Sequence, residues 1–137
     1  MGQVDMIEEV QHRRGVPRGD VNGVTVRVER REAGAVVHLH GEIEFTNADA
    51  ARAAIFASIP FDGPGMVLDL TQTTYLDSSG VRLLFDVAER LRVCHQRLVL
   101  VAANEGMSRR VVALTKLDDL VSLVATVDEA LTALREV

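Results

Sequence analysis

Two short runs of the chain, Met66-Val67-Leu68-Asp69-Leu70 and Arg97-Leu98-Val99-Leu100-Val101-Ala102, are almost continuously apolar. Runs of this length and character belong to central strands covered on both faces, because a half-exposed strand alternates. Between them lies the clearest helical period in the sequence, with Val81, Leu84, Phe85, Ala88 and Leu91 recurring at spacings of three and four. Arg82, Asp86 and Arg90 form a charge row on the other side of that helix. Buried strands that alternate with amphipathic helices require a sheet with helices packed on it.

The remaining segments extend this pattern. Val24, Val26 and Val28 alternate with Thr25, Arg27 and Glu29, the period of a half-buried strand. Residues 35–40 read as its hairpin partner, across a polar loop of about five residues, Arg30-Arg31-Glu32-Ala33-Gly34. After Gly41-Glu42-Ile43-Glu44-Phe45 a helix is predicted to start at Thr46, capped by Thr46 with Asp49 three residues on. Its apolar face would be Ala50, Ala53, Ala54 and Ala57, flanked by Ile55 and Phe56. Pro60 and Asp62-Gly63-Pro64-Gly65 close that unit. Residues 71–78 read as a polar loop. A shorter helix carries Arg110, Val111 and Leu114 on one side, and the last helix opens on a complete capping box, Thr126-Val127-Asp128-Glu129.

The prediction is therefore an α/β fold, a mixed sheet of four to five strands packed with about four helices. Strands are expected near 24–30, 35–40, 66–70, 97–102 and 121–124, and helices near 46–58, 79–93, 107–115 and 127–135. The core should include Val26, Val37, Leu68, Leu70, Leu84, Leu100, Val111 and Leu131.

A length of 137 residues with 47% hydrophobic content suits one domain that needs no disulfide or metal staple. That domain is assigned to residues 23–137. Residues 1–22 are rich in charge, glycine and proline and read as a flexible arm, with a helix at residues 4–10 packed on a partner as the alternative. With 15 basic and 20 acidic residues the net charge is −5, which argues against nucleic acid as a direct partner. One Tyr, four Phe and no Trp argue against stacking platforms for bases. A lone Cys94, acids at the N-terminus and no apolar stretch near the ~20 residues of a membrane helix point to a cytoplasmic protein outside the membrane.

Catalytic chemistry finds little support. His38 and His40 share one face of a strand, but a zinc site needs four ligands, or three and water, so ordinary solvated histidines are favoured and no metal is expected. No nucleophile elbow and no glycine-rich phosphate loop is present, so no enzyme activity and no cofactor is expected.

The informative segment is Leu76-Asp77-Ser78-Ser79-Gly80-Val81, which joins a polar loop to the first turn of the amphipathic helix. An Asp77 or Ser78 cap, with Gly80 allowing close helix–strand packing, accounts for part of it. Two serines beside an aspartate, and a glycine costing about 1 kcal/mol of helix propensity, remain to be explained. A hydroxyl at a helix start is well placed to carry phosphate, stabilised by free backbone N–H groups and the positive dipole end.

The Asp77-Ser78-Ser79-Gly80-Val81 motif resembles the signature of STAS domains, in particular bacterial anti-sigma-factor antagonists. Gly41-Glu42-Ile43 resembles their G-E-L/I-D segment, residues 110–117 their penultimate helix, and Val127-Asp128-Glu129-Ala130-Leu131 the entry to their last helix. Glu44 stands where that family usually has Asp, and Lys116 where glycine is common. The resemblance covers residues 23–135 and implies that Ser78 is the phosphoacceptor of an anti-sigma serine kinase. Unphosphorylated protein would bind that kinase and free a sigma factor, and a PP2C-type phosphatase would reverse the mark. The partner surface implied comprises Glu42, Glu44, Thr46, Asp77, Ser79, Gly80 and Arg82. A STAS subunit of a stressosome-type scaffold, or of a lipid or anion transport complex, is the alternative, and a homo-oligomer stays open.

Overall fold

The computed structural model describes Ile7–Glu9 and residues 23–136. Its elements are β1 (Ile7–Glu9), β2 (Val24–Arg31), β3 (Gly34–Ile43), α1 (Ala48–Ser58), β4 (Gly65–Asp69), β5 (Thr73–Leu76), α2 (Ser78–Val93), β6 (Arg97–Val101), α3 (Met107–Thr115), a 3-10 turn at Leu117–Asp119, β7 (Ser122–Val124) and α4 (Val127–Arg135). Among the described residues the strands form one seven-stranded sheet in the order β1-β2-β3-β4-β6-β7, with β5 paired to β3. The β1–β2 and β2–β3 pairs are antiparallel and the others parallel. The α/β class is as expected, and two short strands add to the sheet.

The first addition, β1, lies in the N-terminal segment, where Ile7 stands opposite Glu29 and Glu9 opposite Arg27. These three residues are extended in the span where a helix was the alternative, and the rest of residues 1–22 lies outside the described residues. The β2–β3 turn is two residues, Glu32-Ala33, rather than about five, and Arg31 already pairs with Gly34. Gly34 sits at φ +151°, and a Cβ there would stand 2.8 Å from the carbonyl oxygen of Gly65, so only glycine fits this corner.

The second addition, β5, decides where the site forms. Strand β3 is ten residues long and changes neighbour along its length. Its first half pairs with β4, from Ala35–Met66 to His38–Asp69, and its end pairs with β5 through Glu42–Tyr75 and Ile43–Leu76. The β5 pairing begins at Gly41–Thr73, and a register shift follows it between Gly41 and Glu42. Thr73 and Leu76 are buried while Thr74 and Tyr75 are exposed, so β5 lacks alternation, which is why the sequence reads as a loop. Backbone pairing and a 2.8 Å bond from the Thr73 hydroxyl to the Leu39 carbonyl hold it.

Helices α1 and α2 cover one face of the sheet over Val26, Val28, Leu39, Ile43, Leu68 and Leu100. Helix α4 covers the other over Val36, Val67, Val99 and Val101, contributing Ala130, Leu131 and Leu134. Of the expected core, Val26, Val37, Leu68, Leu70, Leu84, Leu100 and Leu131 are buried. Val111 is only half-buried, because α3 is rotated to bring Ser108 and Val112 inward and leave Leu114 exposed. The face of α1 also differs from expectation. Ala48, Ala51, Ile55 and Ser58 point inward, while Ala50, Ala53 and Ala57 are exposed. Alanines on every side leave Ile55 as the residue that sets the phase. Thr46 does not cap this helix; Asn47 occupies the N-cap position and the Thr46 hydroxyl donates to Glu44 Oε2 at 3.3 Å. No helix among the described residues is long and apolar enough to cross a membrane.

Candidate functional site

Because β5 runs parallel to the end of β3, it delivers Asp77 beside the loop that leaves β3. The Asp77 amide donates to the Ile43 carbonyl at 3.2 Å. Asp77 is the N-cap of α2, and its Oδ1 accepts from the amides of Ser79 (2.8 Å) and Gly80 (3.1 Å). Its Oδ2 accepts from the Phe45 amide at 3.0 Å. One carboxylate thus fastens both the first turn of α2 and the loop after β3, each by charge-assisted bonds.

This division of labour separates the residues of the Asp77–Gly80 motif. Asp77 is the cap, so Ser78, the first residue of α2, is left exposed with no hydrogen bond to its hydroxyl among the described residues. Ser79 is half-buried, and Gly80 is buried, where a Cβ would meet Leu76 Cδ2 at 2.8 Å and the Ile43 carbonyl oxygen at 3.1 Å. Gly80 therefore acts by letting α2 approach β3 and β5, not by presenting a surface of its own. The expectation that free amides await a phosphate here is met only in part: the amides of Ser79 and Gly80 are bound to the Asp77 carboxylate and that of Val81 to the Asp77 carbonyl, which leaves the Ser78 amide.

The adjoining loop is organised by Asn47, a buried residue that sequence reasoning missed. Its side chain accepts from the Glu44 amide at 2.9 Å and donates to the Glu42 carbonyl at 2.8 Å. A short polar residue just before a helix was the available signal. Glu42 and Thr46 are exposed, and Glu44 is half-buried with its carboxylate on the Thr46 hydroxyl and no hydrogen bond to Ser78. Phe45, also missed, is 79% exposed at the tip of this otherwise polar loop.

A cleft of about 280 Å³ joins the two segments, lined by Phe45, Ala48, Asp49, Arg52, Ser78, Ser79 and Arg82. It brings together Ser78, Ser79 and Arg82, whereas Asp77, Glu42, Glu44 and Thr46 are not among its lining residues. Arg52 is held by Asp49 at 2.7 Å and Asp86 at 3.0 Å, whereas Arg82, with a side chain 75% exposed, reaches Asp86 only at 4.0 Å.

One of the two strand histidines departs from expectation. His40 is exposed, but His38 is largely enclosed between two carboxylates, Nδ1 to Asp69 Oδ2 at 2.7 Å and Nε2 to Glu29 Oε1 at 3.0 Å. The Asp69 bond holds the imidazole pKa above its usual value against the opposing effect of burial, and Glu29 adds to the rise. Burial pushes the Asp69 carboxyl up, but bonds from His38 and Thr71 together outweigh it and leave its pKa lowered. Strand register explains the cluster, since His38 pairs with Asp69 across β3–β4 and with Arg27 across β2–β3. These residues border a cavity of about 550 Å³ on the sheet face beyond α4. No group of three or more His, Cys, Asp or Glu among the described residues is arranged to hold a metal ion.

Comparison with known proteins identifies relatives of this arrangement. The STAS domain family profile matches residues 25–130. The anti-sigma-F factor antagonist RsfB of Mycobacterium tuberculosis is 30% identical over 115 residues, 83% of this chain and 92% of that protein. An anti-sigma factor antagonist from Mycobacterium paratuberculosis, solved by crystallography, matches with a TM-score of 0.75 at 34% identity, covering 84% of this chain and 97% of that one. The phosphorylated form of the Bacillus cell fate determinant SpoIIAA shares the fold, with a TM-score of 0.58 at 21% identity over 80% of this chain and 99% of that one.

Proposed function

The chain belongs to the STAS domain family, and from that premise we propose that it is an anti-sigma-factor antagonist switched by phosphorylation of Ser78. The observation that carries this reading is that Asp77 performs the capping, so the neighbouring serine stands exposed on a firmly held helix start with its hydroxyl unengaged. The names of the Mycobacterium relatives support the same function.

In the unphosphorylated state the edge formed by Glu42, Glu44, Thr46, Asp77, Ser78, Ser79 and Arg82 docks on an anti-sigma serine kinase in the cytoplasm and releases the sigma factor held there. Gly80 contributes by close packing, and Phe45 provides an apolar anchor on an otherwise polar edge, a residue type enriched in interface cores. The protein performs no catalysis itself; the kinase supplies the phosphoryl group and a PP2C-type phosphatase removes it. Phosphate on Ser78 adds about −1.5 to −2 charges beside Asp77. A partner surface shaped for a neutral hydroxyl next to a carboxylate then meets added negative charge that it holds no group to match, and affinity falls by about 2–5 kcal/mol.

The test is incubation with a purified anti-sigma serine kinase from the same organism and ATP, read by intact mass and phosphopeptide mapping. One added phosphate on Ser78 is expected, absent in Ser78→Ala and retained in Ser79→Ala. Ser78→Ala should keep binding the kinase in the presence of ATP, and Phe45→Ala should weaken that complex at least tenfold while leaving thermal stability unchanged. Phosphate on Ser79, or none at all, would remove the switch and favour the role of a scaffold or transport-complex subunit.

A further inference from the structure

A phosphate on Ser78 would arrive at a helix start where most donors are already committed, the Ser78 amide alone having no partner among the described residues. The amides of Ser79 and Gly80 bind Asp77 Oδ1, the Phe45 amide binds Oδ2, and the Asp77 carboxylate itself stands one residue away with like charge. One open amide is a small part of what a helix terminus can offer a dianion, which leaves a place for a side-chain cation to add to it.

Two arginines line the cleft that Ser78 lines, and their tethers differ. Arg52 bridges Asp49 and Asp86 at 2.7 and 3.0 Å and forms a fixed wall. Arg82 lies four residues after Ser78, on the same side of α2, where side chains one turn apart meet. It is 75% exposed and only 4.0 Å from Asp86. Asp86 keeps its closer bond to Arg52 whether or not Arg82 stays, so Arg82 can leave without stranding a charge. A guanidinium matches a phosphate with two parallel N–H···O bonds, a geometry that a single ammonium cannot reproduce.

We propose that Arg82 is the counter-charge of phosphorylated Ser78, moving from the rim of Asp86 onto the phosphate within the same molecule. This rests on the reading of Ser78 as the phosphoacceptor and extends it. The modification then acts twice on a docking partner: it adds a dianion, and it withdraws a cation from the edge that the partner contacts. No backbone rearrangement is required for either effect.

The experiment uses full-length protein carrying phosphoserine at position 78 introduced during translation, so the site is loaded whether or not any kinase recognises it. Phosphorus-31 NMR titration reads the second ionisation of the phosphate, near pH 6 for an unperturbed phosphoserine. Arg82→Gln should raise that midpoint by about 0.3 pH units relative to the parent, the size of a one-turn ion pair expressed as a pKa shift, and Arg82→Lys should recover part of it. Arg92→Gln, which removes the same charge from the far end of α2, should leave the midpoint in place. Equal shifts from Arg82→Gln and Arg92→Gln, or no shift from Arg82→Gln, would overturn the assignment. Failure of the kinase reading would show separately, as absence of phosphate transfer in the mass experiment.

Discussion

At the scale of single residues, position 80 sets two physical effects against each other. Alanine is favoured over glycine inside a helix by about 1 kcal/mol. A Cβ at this site, however, would press on the Ile43 carbonyl at 3.1 Å and on a Leu76 methyl at 2.8 Å. Overpacking of a filled contact costs about 1–3 kcal/mol, so Gly80→Ala should destabilise the domain by about 1 kcal/mol in urea unfolding; a stabilised variant would contradict so close an approach. The sequence could show that Asp77 or Ser78 caps a helix, but not which, because both are capping types. Only the pairing of β5 with β3, which aims Asp77 at both amide groups, resolves the choice. His38 was misread for a related reason, its partner being Asp69. They lie 31 positions apart in the chain, and their contact exists only in the register of a parallel strand pair.

At the scale of elements, legibility followed the size of the side chains that mark a face. Helices α2 and α4 carry leucines at helical spacing and appeared where expected, the latter with its Thr126–Glu129 capping box intact. Helices α1 and α3 were found but mis-phased, since alanine-rich or mixed faces give no strong direction to bury. The end of α3 offers a direct check on local geometry. Lys116 stands at its C-cap with φ +65° and ψ +19°, a left-handed conformation that costs a non-glycine residue about 1–2 kcal/mol. The greater freedom of glycine in the unfolded chain offsets part of the relief. Lys116→Gly should therefore stabilise the domain by about 0.5–1 kcal/mol, seen as a Tm higher by about 2–4 °C in calorimetry. An unchanged or lower Tm would show that the lysine side chain contributes more than its backbone costs.

At the scale of the whole molecule, His38 ties three strands together, reaching Glu29 on β2 and Asp69 on β4 from β3. Its raised pKa means the imidazolium contributes fully below the unfolded value of 6.5 and is lost as pH climbs through the folded value. The lowered pKa of Asp69 means its carboxylate contributes above the unfolded value of 3.8 and is lost as pH falls through the folded value. Stability should thus plateau between those two unfolded values and decline on both sides. His38→Gln should cost about 1–3 kcal/mol at pH 6, because the enclosed Asp69 loses a charged partner, and markedly less at pH 9. Urea midpoints measured across that range check this, and a variant equally destabilised at both pH values would exclude titration of His38 as the cause.

The exchange of neighbours along β3 has a consequence for time. Paired strands of one sheet carry both the Phe45 loop and Ser78 to the same edge, and Asp77 hydrogen-bonds to both segments. A chain marked at Ser78 then keeps no clock of its own. On the proposed reading, how long the mark lasts would depend on the enzymes that write and erase it, and the domain would store their balance as a ratio of two covalent species rather than as a ratio of two shapes. Information held this way survives binding, release and dilution unchanged, much as a stamped coin keeps its face through every exchange.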